Sequence, residues 1–542
     1  MPPAIPGVDS TSQARFPLLQ WQQQVQRYAE YWSWYTGEKL NESRGVSDSG
    51  ETIYRFPLKM NEVRNFSHKH ASVLLGEAPD GPAPMVKTTV IPKRPLDSAN
   101  AEPNKQDKAL ALLAQNIINE VWLESRGRSI QIENAILQQF LGGCVFKVSW
   151  QPWRDDLRIP VVIEKVIPDF FMPVWNPKDY FDLLEVYEVY RIPAATAELQ
   201  YGVKSSGTYS MYVEHWQKKA TPFGTKTVYS IYIDDQPLTV RLTDGSTLTY
   251  RDVQTDWGFV PYVYIPTKRE GSFYGHSIVE QIRGILLEYN ARMADQGDAI
   301  RTTVHRRRYA RNISQPVKER LIGKTTWVID LGQEQFNAKH PPEVWAEDPP
   351  KMDSGTATFN KDLWAQLLRE GELQNIAFGE DEGSQRSALT LAFRMWPTTA
   401  RGRMTRSFWN DGMSLLCKMV LKIVSLNKVL LKYEIPMDFA KRLDFAADWA
   451  PMMPRDREQD VQENVALLQA HARGVETVVE KLGDVRDVAE EIARIHADKE
   501  FDANLQLKLQ ASLEDQKPEP EDDKAPESKA KPKTDTRSNT PT

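Results

Sequence analysis

Few residues in this chain are spaced for chemistry. Gly323-Lys324-Thr325 has the ending of a phosphate-binding loop, but Lys318 stands where the first glycine must be, so the backbone cradle for phosphate is missing. Tyr232-Ile233-Asp234-Asp235 carries paired aspartates of the kind that hold a divalent metal on a tight hairpin. The following Gln236-Pro237 favours an ordinary turn instead. His68-Lys69-His70 has neither a nearby cysteine nor the helical spacing of a zinc pair, so core or surface histidines are expected. Cys144 and Cys417 lie far apart, which excludes a disulfide framework and points to a reduced, intracellular assembly site. No catalytic residue, metal site or cofactor is expected, and the chain reads as a non-enzyme.

Charge clusters remain. Arg306, Arg307, Arg308 and Arg311 could contact nucleic-acid phosphates or a protein partner, or form a solvated or subunit-bridging face. Gly379-Glu380-Asp381-Glu382-Gly383-Ser384-Gln385-Arg386 is a glycine-flanked acidic loop, either a plain connection or a projecting contact loop. Arg394, Arg401, Arg403 and Arg406 could pair with acids of a neighbouring copy or line an exposed basic face.

The whole chain has 542 residues, enough for more than one compact region. Its 68 basic and 74 acidic residues give a net charge of −6, which argues against a protein that grips nucleic acid by neutralising many phosphates. It leaves open one that lets DNA pass. The longest apolar stretch, Met413 to Val424, is interrupted by Lys418 and Lys422 and is too short to span a bilayer; no signal segment is visible at the N-terminus.

The elements that must position these clusters follow from periodicity. Trp21, Val25, Tyr28, Trp32 and Tyr35 fall on one helix face before Gly37; Val63, Phe66, His70 and Val73, then Leu110, Leu113, Ile117 and Val121, mark two further helices. From Gly143 to Pro266 the period becomes two, predicting short strands. Ser277 and Glu280 form a capping box that starts a helix of about 25 residues, roughly 40 Å long. Its apolar face runs through Ile278, Ile282, Ile285, Leu286, Tyr289, Met293 and Ile300. A non-helical insert, 304–350, precedes a second helix carrying Phe359, Leu363 and Leu367. A third, from Ser387 to about Leu426, puts Leu389, Phe393, Trp396 and Met404 on one side and Pro397 in its interior, where a kink is expected; Gly402 and Gly412 weaken it further. Shorter helices follow to 513, and the polar stretch from Glu514 to Thr542 reads as a solvated tail.

This order resembles the portal proteins of tailed bacteriophages. Tyr28 to Gly37 is similar to that family's N-terminal tyrosine-then-glycine helix. Asn65-Phe66 through Leu74-Leu75-Gly76-Glu77-Ala78-Pro79 resembles another of its segments, with one extra residue before the proline. Gly275-His276-Ser277 to Glu280, followed by Leu287 to Asn290, resembles the start of its first stem helix, and Gly474 to Ile495 its crown region.

The resemblance implies an α+β, mainly helical portal fold: wing 1–275 (helical to about 142, β-rich 143–266), stem helices 276–303 and 351–378, clip 304–350, tunnel loop 379–386, kinked wing helix 387–428, helical crown 429–513 and disordered tail 514–542. It implies a homo-oligomeric ring, expected to be a dodecamer, at one capsid vertex of the virion, assembled in the host cytoplasm, through which double-stranded DNA is packaged and ejected. The partners it implies are the terminase large subunit, a head-tail connector and the major capsid or scaffolding protein, with no membrane. Gly379 to Arg386 would face DNA, Arg306, Arg307, Arg308 and Arg311 would dock partners at the clip, and Pro397 would kink the wing helix. A non-channel structural protein of the phage tail or baseplate is the alternative.

Overall fold

Alternation of 3.6-period and 2-period stretches yields a mixed helix and strand architecture. The computed structural model describes residues 12–42, 45–46, 52–53, 59–77, 81–94, 103–204, 207–222, 224–241, 247–304, 308–311, 328–330, 343–346, 354–379, 393–428, 435–452, 457–482 and 488–514. The chain divides into two compact units, 1–454 and 455–542.

In the first unit the helices are α1 (Ser12–Thr36), α2 (Glu62–Leu75), α3 (Lys105–Glu124), α4 (Gly127–Leu141), α5 (Ala194–Tyr201), α6 (Ile278–Val304), α7 (Ser354–Glu370), α8 (Trp396–Leu426) and the short α9 (Phe439–Arg442). The principal strands are β1 (Lys87–Pro92), β2 (Gly143–Trp150), β3 (Val161–Val166), β4 (Phe171–Asn176), β5 (Asp179–Pro193), β6 (Tyr209–Thr221), β7 (Gly224–Ile233), β8 (Tyr262–Pro266), β9 (Arg308–Arg311), β10 (Val328–Asp330), β11 (Glu343–Ala346) and β12 (Leu443–Asp448).

Strands β4 to β7 form an antiparallel meander, each pairing with the next. Asp234 and Asp235 make a two-residue hairpin turn between β7 and the short strand Gln236–Pro237, both with positive φ, so these carboxylates serve a turn. A second antiparallel sheet runs β8, β2, β3. Its residues Phe146, Val148, Val263 and Ile265 join α3, α4 and the buried face of α8 in the main core. A second core gathers Tyr28, Tyr31 and Trp34 of α1, Phe66 of α2, Phe140 of α4, Ile278, Ile282 and Leu286 of α6, and Leu367 of α7.

Three boundaries differ from the sequence expectation. Among the described residues beyond 429 the short α9 leads into β12, which pairs antiparallel with β1, and the longer helices come only after 454. In that second unit α10 (Arg457–Gln469), α11 (Val475–Leu482) and α12 (Val488–Glu514) follow one another, and residues 515–542 of the expected tail lie outside the described residues. The second long helix ends at Glu370, and Asn375–Phe378 is a separate 3-10 turn. Helix α8 begins at Trp396, with Met395 a turn after helical Phe393 and Arg394. Pro397 therefore sits just past the break in the helical path at Met395, at the N-terminal end of α8, and residues 387–392 lie outside the described residues.

The face of α8 also differs. Phe393, Trp396 and Met404 are 69, 56 and 54 % exposed, while Thr398, Gly402, Thr405, Trp409, Gly412, Met413, Leu416 and Val420 are buried. The two glycines permit contact: a Cβ on Gly412 would lie 2.6 Å from Ile265 Cδ1, so its cost to helix propensity is offset by close packing on β8.

Candidate functional site

The start of α6 is built from the residues that suggested it, with one exchange of partners. Ser277 Oγ accepts from Val279 N–H at 3.0 Å and itself donates to Phe140 O on α4, so it caps the helix while tying it to the core. Glu280 does not act as the second half of a capping box; its carboxylate accepts from Tyr31 O–H of α1 and lies 3.3 Å from His276 Nδ1. Asn290 exchanges two hydrogen bonds with the Met60 backbone ahead of α2, at 2.9 and 3.2 Å.

Gly275 and Gly142 lie back to back: a Cβ on either would fall 2.2 Å from the other's carbonyl oxygen. We expect Gly275→Ala to displace the start of α6 and cost about 1–3 kcal/mol, as overpacking of a close contact does. A denaturant midpoint unchanged from wild type would contradict this.

Helices α6 and α7 pack antiparallel as a hairpin. Gln296 Oε1 accepts from Asn360 Nδ2 at 2.7 Å, the Tyr289 and Trp364 rings lie 5.6 Å apart, and Ile282 and Leu286 share a core with Leu367 and Leu368. Between the helices' far ends the chain forms a small sheet, β10 parallel and β11 antiparallel to β9. Among the described residues exposed on the hairpin, Arg283, Arg292, Lys361 and Arg369 are matched by Glu288, Asp295, Asp362 and Glu370. Arg292 bridges Glu288 at 2.7 Å and Asp295 at 3.5 Å on the same helix.

The sequence candidates are distributed over this frame. Arg308 and Arg311 are the two ends of β9, and Arg311 is half-buried; Arg306 and Arg307 lie outside the described residues. Gly379 ends the 3-10 turn with φ 81°, and Glu380, Asp381, Glu382, Gly383, Ser384, Gln385 and Arg386 lie outside the described residues, as does Gly323-Lys324-Thr325.

Three arginines of α8, Arg401, Arg403 and Arg406, have partners in the same chain. Arg401 donates to Gln281 Oε1 of α6 at 2.9 Å and Glu372 Oε2 at 3.2 Å. Arg406 donates to the Leu74 and Ala450 carbonyls and stacks over Trp449, and Arg403 lies over Trp396. The histidines of His68-Lys69-His70 have separate partners: His68 bonds Tyr35 Oη, and buried His70 bonds the Gly371 carbonyl at 2.7 Å. Burial, with the Arg401 charge, holds His70 well below the ordinary imidazole range, so it is neutral. Among the described residues no group of three or more histidine, cysteine or acidic side chains is placed to hold a metal ion.

Sequence reasoning missed one polar cluster. Lys147 Nζ on β2 lies 2.9 Å from Glu188 Oε2 and 2.7 Å from Glu214 Oε2, all three buried. Tyr262 O–H donates to Glu188, and Tyr212 O–H and Trp216 Nε1–H to Glu214. Its signal is a single charge inside each apolar run: Phe146-Lys147-Val148, Tyr187-Glu188-Val189 and Val213-Glu214. The cluster joins the two sheets and has the character of a structural ion network.

No family model and no curated protein sequence matches this chain. No helix among the described residues is long and apolar enough to cross a membrane.

Proposed function

We propose that this chain is a portal protomer: a subunit of a ring at one capsid vertex through which double-stranded viral DNA enters and leaves, and on which terminase and head-tail connector proteins dock. The observation that carries this reading is the antiparallel α6 and α7 hairpin with the small β9 to β11 sheet between its far ends and exposed charges that cancel among the described residues. A long helix satisfies its own backbone polar groups, so it can line a channel with side chains alone. Each Lys or Arg contact to a phosphate releases counterions and adds affinity, and many such contacts would hold DNA in one place. Paired opposite charges avoid that, and the net −6 of each copy, multiplied round a ring, favours passage over binding.

In this reading the hairpin is the stem, the small sheet with Arg306, Arg307, Arg308 and Arg311 is the partner-docking clip, and Gly379 to Arg386 is the loop presented to DNA. A ring of one chain requires a heterologous interface that closes on itself. Negative-stain images of the purified protein test the reading directly. Rings with a central hole, with subunits countable in end views, are the expected result, and uniform monomers or trimers over a range of concentrations would overturn it.

A further inference from the structure

The two-stranded sheet of β1 and β12 has one finished edge and one open edge. On the β1 side, glutamines of the neighbouring helices take the place of a third strand. Gln115 of α3 accepts from Val90 N–H at 2.8 Å and donates to Thr88 O at 2.7 Å. Gln131 of α4 accepts from Val86 N–H at 2.8 Å and donates to Val86 O at 3.1 Å. The β12 side has no such cover. Lys93 N–H donates to Arg442 O, and alternate residues of β12 bond β1, so the backbone groups of Leu443, Phe445 and Ala447 face away from it. Leu443 N–H turns back to Phe439 O, and Phe445 N–H bonds only the Asp444 carboxylate, at 3.2 Å. The Ala447 N–H and the three outward carbonyls have no partner among the described residues.

The side chains of β12 select what can pair there. Leu443 and Phe445 are buried, whereas Asp444, Ala446 and Asp448 are exposed on the other face. Neither aspartate has an ion pair among the described residues, although Lys87 stands across from Asp448 on β1. In an antiparallel strand added at this edge, the residues opposite Asp444 and Asp448 take the close, non-hydrogen-bonded positions, where the sign of a charge matters most. A second β12 is disfavoured on that ground, since pairing centred on Ala446 sets Asp444 of each copy against Asp448 of the other. Charges on an edge strand also serve simply to keep it unpaired. Here the charges are of one sign only, so they repel a second β12 and attract a basic strand, while the β1 edge is closed by bonded amides. We propose that β12 is a docking edge for an extended segment of another protein, one with Lys or Arg at two positions four residues apart and apolar residues between them. Main-chain bonds to the outward groups of Phe445 and Ala447 hold it, and Asp444 and Asp448 choose it.

Labelled peptides and the full chain test this. The probe is a capped peptide with the core Lys-Val-Thr-Val-Lys. Its fluorescence anisotropy should rise on titration with the protein, and hydrogen exchange over 443–449 should slow on binding. A peptide with Glu in place of both lysines should bind about tenfold more weakly, the scale of turning two opposite-charge cross-strand pairs into like-charge pairs. A probe N-methylated at both valines cannot donate to the Phe445 and Ala447 carbonyls and should lose binding. Asp444→Lys combined with Asp448→Lys, both exposed positions, should reverse the preference between the Lys and Glu peptides. No binding of the probe at millimolar concentration, equal binding of the N-methylated probe, or an unreversed preference overturns the proposal. So does slow exchange of the Ala447 amide in the protein alone, which would mean that the edge is already covered by its own chain or by a second copy.

Discussion

Replacing Lys147 by methionine is expected to destabilise the first unit by about 3–5 kcal/mol, because the change leaves Glu188 and Glu214 buried without their cation. Urea unfolding followed by tryptophan fluorescence measures it. The loss should be largely repaired by adding Glu188→Gln and Glu214→Gln, since a neutral network no longer carries uncompensated charge. If the triple variant is no more stable than Lys147→Met alone, packing of the lysine stem and not its charge is what matters.

The pH dependence of that loss has a definite sign. In the wild type, burial pushes Glu214 up, but the Lys147 charge and the bonds from Lys147, Trp216 and Tyr212 outweigh it and hold the carboxyl below its ordinary value. A carboxylate with a depressed folded value contributes stability above the ordinary carboxylate range and loses it as pH falls through the folded value. Glu164, raised by burial against the opposing Lys147 charge, works the other way and offsets part of this. Without Lys147 the buried carboxylates prefer to be protonated, so the variant should gain relative stability on acidification. The gap between wild type and Lys147→Met is expected to narrow from pH 7 to pH 5; a gap that widens would refute the assignment of charge.

The second large effect is expected at Trp409. Its indole is fully buried, donates to Gln138 Oε1 at 2.9 Å, and packs edge-on to Phe146 at 5.6 Å and Trp449 at 6.0 Å. It thus joins α8 to α4, β2 and the segment after β12. Trp409→Ala should cost about 3–5 kcal/mol through the cavity it leaves. Trp409→Phe keeps most of the volume and loses the hydrogen bond to Gln138, for which about 1–3 kcal/mol is expected. Unfolding midpoints of the two variants check the order, and a phenylalanine variant as unstable as the alanine one would show that the hydrogen bond outweighs the packing.

The sequence by itself determined the local elements. Ser277 caps α6 because a serine oxygen ahead of an apolar helical stripe can accept from the first turn, and Val63, Phe66 and His70, or Leu110, Ile117 and Val121, are buried because their spacing puts them on one face. Asp234-Asp235 before Gln236-Pro237 reads as a turn for an equally local reason.

Tertiary structure decided which face of α8 goes inward. Phe393, Trp396 and Met404 satisfy helical spacing as well as Gly402, Thr405, Trp409 and Met413 do, and the approach of β12, α2 and β8 selects the second set. It also decided the partners of the charged residues. Glu280 turns to Tyr31, Arg401 to Glu372 and Gln281, and Lys147 to two strands of another sheet, over separations of 249, 29, 120, 41 and 67 residues. Hydrophobic spacing is set by the geometry of one element, whereas a charge needs a partner in space, and nothing in the spacing along the chain names that partner.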